Sequence, residues 1–114
     1  GILQQGKLLR PYLGVRYVAV DESFASQNSL SVKQGAYVAA GGSQPSIVSG
    51  SPAEKAGLKD KDIITKVDNT DIDATHSLTT IIGTKSVGDR VTLTIVREGK
   101  TITVPVTLEA VPSQ

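Results

Sequence analysis

Cysteine, methionine and tryptophan are all missing from the 114 residues, and histidine occurs once. Without cysteine there is no disulfide scaffold and no thiol chemistry, and one histidine leaves no ligand set for a structural zinc. The absence does not fix a compartment, because exported chains also lack cysteine. Charge of one sign is missing too. Twelve Lys and Arg stand against eleven Asp and Glu, a net charge of +1, with no run dense enough to form a phosphate-binding patch. Nucleic acid is therefore not an expected partner. No apolar stretch approaches the roughly 18–20 residues that cross a bilayer, so direct membrane insertion is not expected. The opening GILQQGKLLRPY has neither the basic start nor the apolar run of a signal peptide. A chain with no methionine anywhere is expected to be a segment of something longer.

What is present is globular. Hydrophobic residues make up 39% and charged residues 20%, enough for one domain with a modest core. Residues 1–9 are expected to be a linker from a preceding domain, 10–109 the folded domain, and 110–114 a tail. Arg10-Pro11 forces extended backbone. Leu13 to Ala19 alternates and is rich in β-branched and aromatic residues, the pattern of a strand, and Gly35 to Ala39 gives a second, shorter one. Ser23 to Gln34 is polar and ambiguous. Gly41 to Gly50 is dense in turn formers. Ser51-Pro52-Ala53-Glu54 has the form of a capped helix start, and Gly57 closes that helix. Asp62 to Asp68 reads as a strand followed by a turn at Asn69-Thr70-Asp71. A second helix is predicted over Thr75 to Gly83, with Leu78, Ile81 and Ile82 on its apolar face. Its many β-branched residues require packing to support it. Arg90–Arg97 and Thr101–Leu108 alternate around Glu98-Gly99-Lys100, which predicts a hairpin. Pro105 cannot donate to a ladder and belongs at an edge or bulge. Strands and helices mix without a βαβ rhythm, so the class is α+β or mainly β.

Catalytic patterns are weak. His76 with Asp71 and Asp73 could be imagined in a hydrolase, but no serine sits in a G-x-S-x-G elbow, so His76 reads as a residue at the helix start. Asp68, Asp71 and Asp73 fail the calcium-loop spacing, with Thr79 where a glutamate is needed, and read as turn formers. No nucleotide-binding glycine motif occurs. No catalytic residue, metal or cofactor is assigned.

Tyr12-Leu13-Gly14-Val15 carries more information. A glycine between bulky apolar residues lets the backbone turn and uncovers successive N–H groups, the makings of an anion-binding nest. A strand leaving such a nest can accept an extended peptide while the nest holds the peptide's carboxylate. On their own, Tyr12, Leu13 and Val15 fit an ordinary core better, since apolar residues around a glycine are common there. Their neighbours add to the pattern: R-P-Y-L-G-V, then G-A-Y-V, then S-P-A-E-K-A-G-L-K-D-K-D-I-I-T-K-V-D, and finally V-G-D-R-V-T-L-T-I-V-R-E-G-K. This order resembles a bacterial-type PDZ domain, and within that group the first PDZ domain of the HtrA/Deg family of trypsin-like serine proteases. The likeness covers about residues 7–108 and is most specific at Ser51–Ile64 and at Arg10 with Tyr12–Val15.

The resemblance implies a partly open barrel of five or six strands capped by two short helices. It would be permuted relative to animal PDZ domains, the final hairpin strand replacing their first. It implies that Tyr12 to Val15 bind a carboxylate and that Val15, Arg16, Tyr17 and Val18 pair with a peptide. Thr75, Leu78, Thr79 and Ile82 would line the groove from the helix, with Leu78 and Ile82 partly in the core, and Arg10 would add positive charge. The implied partners are peptide C-termini or unfolded-protein segments and a protease domain in the same chain. The implied parent is a homo-oligomeric quality-control protease of the bacterial envelope, in an extracytoplasmic compartment. Gly14→Val is expected to stop binding and spare the fold. Three features depart from the family. The loop Gly41–Gly50 is long, Lys61 stands where glycine is usual, so a different turn is expected there, and the protease's own motifs are absent. The alternatives are an oligomerisation or interdomain packing module, a PDZ domain of another envelope protein, or a small hydrolase using His76.

Overall fold

The computed structural model describes residues 11–30, 32–39, 46–73 and 75–110. Arg10, the 1–9 linker and residues 41–45 of the long loop lie outside them. The strands are β1 (Pro11–Tyr12), β2 (Tyr17–Val20), β3 (Gly35–Val38), β4 (Ile63–Val67), β5 (Thr70–Asp71), β6 (Arg90–Arg97), β7 (Lys100–Thr107) and β8 (Glu109–Ala110). Between them run α1 (Glu22–Gln27), α2 (Pro52–Ala56) and α3 (Leu78–Gly83). Six strands form one antiparallel sheet in the order β2-β3-β4-β6-β7, with β5 beside β4, and β1 pairs with β8 separately. The sheets are not closed into a barrel, so the expected partly open barrel is better described as an α+β pair of sheets. Ala110, placed at the start of the tail, pairs with Pro11.

The terminal hairpin follows from its pattern. Val91, Leu93 and Ile95 are buried on one face of β6, and Val104 and Val106 join them from β7. The turn is tighter than expected. Lys100 already pairs with Arg97, leaving Glu98 (φ 52°) and Gly99 (φ 80°) as a two-residue turn with both residues left-handed, the geometry that matches strand twist. The first helix stands as predicted, capped by Ser51, begun by Pro52 and closed by left-handed Gly57, and the second needs adjustment. Ser51 caps α2 through Glu54 N (3.2 Å), and Glu54 Oε1 accepts from Gly50 N (2.6 Å), one residue short of a reciprocal capping box. For α3 the cap is Ser77, whose hydroxyl oxygen accepts from Thr80 N. The helix therefore starts at Leu78 and excludes Thr75. A third helix, α1, occupies the start of the segment Ser23 to Gln34 that the sequence left ambiguous. Asp21 caps it by accepting from Phe24 N (2.7 Å), and Phe24 packs on Tyr37 with ring centroids 5.4 Å apart.

The main core gathers Leu13, Ile64, Leu78, Ile82, Leu93, Ile95 and Leu108 between sheet and helices. A smaller cluster of Val20, Ala25, Ile63 and Val96 lies under α1. Among the described residues, one charged side chain is buried in the interior. Asp62, 1% exposed, receives Arg97 Nε (2.9 Å) and Nη2 (2.7 Å) as well as Lys59 N. This forked pair pins the α2 exit to β6 and holds the Arg97 guanidinium above its ordinary pKa, chiefly through the hydrogen bond to Asp62. Lys61, just before it, adopts φ 75°. The turn thus keeps the left-handed backbone that favours glycine, with a lysine in it. Among the described residues, no helix is long and apolar enough to cross a membrane.

Candidate functional site

Gly14 sets the geometry of the loop between β1 and β2. Its φ is 91°, and a Cβ there would lie 2.1 Å from Ser51 Cβ. Only glycine lets the chain turn while pressed against the α2 cap. The loop is held from below by the end of the long loop. Arg16 N donates to Ser46 O (2.7 Å), Val48 N to Gly14 O (2.8 Å) and Ala53 N to Leu13 O (2.8 Å). Ser46 is itself buried and donates through its hydroxyl to Asp60 Oδ1 (2.8 Å). Val15 and Ile47 form the corresponding isolated bridge. Residues 46–48 thus work as a short extra strand behind the loop. Among the described residues, no backbone carbonyl accepts from the N–H of Leu13, Gly14 or Val15.

Alternation then decides what the edge offers. Arg16 O accepts from Ala39 N (3.0 Å), and Val18 faces Tyr37 in the ladder. The carbonyl of Gly14 and both backbone groups of Arg16 and Val18 therefore bond inward, while the Gly14 N–H meets no described carbonyl. The N–H and C=O groups of Val15, Tyr17 and Ala19 point away from β3 along an edge that no other strand among the described residues covers. The predicted strand over Leu13–Ala19 is thus interrupted at the loop. Its regular part, β2, starts at Tyr17, two residues later than the pairing segment Val15 to Val18 assumed.

Beside this edge lies a cavity of about 630 Å³. Tyr12, Leu13, Gly14, Val15, Arg16 and Tyr17 line it from the loop and β2, and Leu78, Thr79 and Ile82 from α3. Leu78 and Ile82 are only 2% and 4% exposed, so they present edges to the cavity while belonging mainly to the core. Two predicted residues do not line it. Val18 points its side chain to solvent, 43% exposed. Thr75 precedes α3, and its N–H and hydroxyl both bond Asp73 Oδ1 (3.0 Å each). His76 joins that cluster through Nδ1 (3.1 Å to Asp73 Oδ1), and the hydrogen bonds from His76 and Thr75 hold the Asp73 carboxyl below its usual range. The cluster organises the approach to α3. Lining residues not predicted are Pro11, Val48 and Gly83. Ile47-Val48, an apolar pair inside a run of turn formers, was the available signal for the second of these.

A family model described as PDZ domain matches residues 11–108. The chain is a PDZ domain. It is 36% identical over 113 residues to the "Probable periplasmic serine endoprotease DegP-like" of Chlamydia trachomatis, covering 99% of this chain and 22% of that protein. It is 35% identical to the "Serine protease Do-like HtrB" of Bacillus subtilis, covering 94% of this chain and 24% of that one. This PDZ domain therefore spans about a quarter or less of these relatives. Among solved structures it resembles the HtrA3 PDZ domain bound to a phage-derived ligand, FGRWV, with TM-score 0.71 and 23% identity over 91% of this chain and 89% of that one. It also resembles an HtrA-type protease, AlgW, with a decapeptide (TM-score 0.78, 20% identity, 97% and 32% covered).

Proposed function

We propose that this PDZ domain captures the C-terminal segment of another polypeptide as an added strand on the β2 edge. The observation that carries the reading is the outward row of Val15, Tyr17 and Ala19 amides beside an apolar cavity, with the N–H groups of Leu13, Gly14 and Val15, which meet no carbonyl among the described residues, at one end. A terminal carboxylate at those N–H groups fixes the direction of the peptide, antiparallel to β2. Its last side chain then falls into the cavity among Leu13, Val15, Leu78 and Ile82, which favours Val, Leu, Ile or Phe. The ligand of the similar HtrA3 domain ends in valine, which supports an apolar terminus. Binding by one domain is weak, because a short peptide buries little area and must be ordered.

The names of the relatives support a wider proposal. The domain belongs to a serine protease of the HtrA type acting outside the cytoplasm, and it feeds or regulates that protease. Several subunits in one oligomer would raise the apparent affinity by avidity. Arg10, outside the described residues, would add positive charge near the carboxylate.

The test is an NMR titration of the labelled domain with peptides ending in an apolar residue, beside amidated controls. Shifts at Tyr12–Ala19 and Leu78–Ile82 that vanish on amidation support carboxylate docking. Equal shifts with amidated peptides, or none with any peptide, reject it in favour of an interdomain packing surface.

A further inference from the structure

Tyr17 belongs to both walls of the groove. Its backbone stands on the free edge of β2, while its hydroxyl lies 2.7 Å from Thr79 Oγ1 and accepts from Thr79 N at 3.1 Å. The phenol therefore reaches from the edge strand to the first turn of α3, where it satisfies a backbone donor that the helix itself leaves unpaired. The ring also packs against the main core, so its position is fixed by contact as well as by hydrogen bonds.

An antiparallel ladder places directly opposite side chains on the same face, with Cβ atoms about 4.5–5.5 Å apart. With its carboxylate at Leu13–Val15, a peptide donates from its last N–H to Val15 O. The residue third from its end then exchanges both ladder bonds with Tyr17. The side chain of that residue points to the face where the phenol already bridges to Thr79. We propose that Tyr17 fills this subsite and so sets the groove's selectivity. Ligands with Gly or Ala third from the end are accepted, and those with Leu or Phe there are disfavoured. The inference rests on the docking mode proposed above. A bulky side chain must displace the phenol, which releases both bonds to Thr79 and returns the N–H of that exposed residue to solvent.

The test uses free-acid hexapeptides that differ only in the third residue from the end (Gly, Ala, Leu or Phe), titrated calorimetrically into the wild-type domain, Tyr17→Phe and Tyr17→Val. The wild type should bind the Gly and Ala peptides about tenfold more tightly than the Leu and Phe peptides, the factor expected for one or two lost hydrogen bonds. The preference should shrink in Tyr17→Phe, which keeps the ring without its ties, and vanish or reverse in Tyr17→Val. Equal wild-type affinity for all four peptides overturns the inference, as does a ranking unchanged in Tyr17→Phe. These two proteins suffice if Tyr17→Val fails to fold. Failure of the docking mode reads differently: no free-acid peptide binds, or amidated peptides bind equally well, and the selectivity proposal falls with it.

Discussion

Strands β2 and β7 both end the six-stranded sheet, and each turns one row of N–H and C=O groups away from it. On β7 the two-residue turn makes Arg97 and Lys100 a bonded pair, so Thr101, Thr103, Pro105 and Thr107 face outward. Pro105 removes the donor in the middle of that row. On β2 the outward residues are Val15, Tyr17 and Ala19, with no proline among them and a cavity alongside. Open strand edges invite pairing, and a proline is one common way to refuse it. The fold thus refuses a partner on one side and leaves room for one on the other. Edge character is set by a few residues, and the same ladder can serve either end.

The sharpest way to break this comparison lies in the glycines at the two edges. Gly14 and Gly99 both have positive φ, but a Cβ at Gly14 meets Ser51 at 2.1 Å while one at Gly99 meets nothing within 4 Å. Gly14→Val should destabilise the domain by about 3–5 kcal/mol, combining overpacking with left-handed strain. This corrects the expectation that the substitution would spare the fold. Gly99→Ala carries only the conformational term, about 1 kcal/mol. Urea melts of the two variants check the contrast, and equal losses would show that the loop relaxes around a side chain.

A gentler variant separates edge chemistry from fold. Ala19→Pro copies onto β2 the device that β7 carries at Pro105, since the N–H of Ala19 points outward. A hexapeptide should lose about fivefold in affinity, the worth of one hydrogen bond, while a tripeptide too short to reach Ala19 should bind unchanged. Calorimetry with both lengths decides it. Equal losses would mean that the strand is distorted rather than merely missing a donor.

How far the sequence alone predicts these features depends on how local their causes are. The hairpin was legible because Val91, Leu93 and Ile95 alternate without interruption, and α2 because Ser51, Pro52 and Glu54 stand at fixed offsets. The Tyr12–Val15 loop was legible as a pattern of residue types. Helix α1 escaped notice because Phe24 and Ala25 are too few to show a period. The start of α3 was misplaced because Thr75 and Ser77 are both plausible caps, and Asp73 takes the first of them. The bonds between Tyr17 and Thr79 join residues 62 apart, and nothing local announces them. The same holds for Ser46 and Asp60 behind the loop.

Lys61 offers a change that should raise stability without altering either edge. Its φ of 75° is strained for a lysine, and its turn leads into β4, between the two edges. Lys61→Gly should stabilise the domain by about 0.5–1 kcal/mol, the left-handed strain relieved less the extra entropy of a glycine in the unfolded chain. Thermal melts measure the gain, and peptide affinity should stay unchanged. A lower melting temperature would show that the lysine side chain makes up for the backbone strain.

The smallest effect on stability, and the most direct test of the protected edge, is expected from Pro105→Thr. The side chain of Pro105 is exposed, and the backbone N–H that the substitution restores points outward. The change in stability should therefore stay within about 0.5 kcal/mol. The consequence should appear between molecules instead. With the missing donor back between Thr103 and Thr107, the outward row from Thr101 onward is unbroken. Strand β7 then becomes an edge eight residues long whose donors and acceptors match those of a second copy. Sedimentation velocity over rising concentration should show self-association in the variant and not in the wild type. If the variant stays monomeric, the threonine side chains and the packing of α2 against β7 already guard that edge. The proline would then be one safeguard among several, and the asymmetry between the two edges would rest on the cavity beside β2 alone.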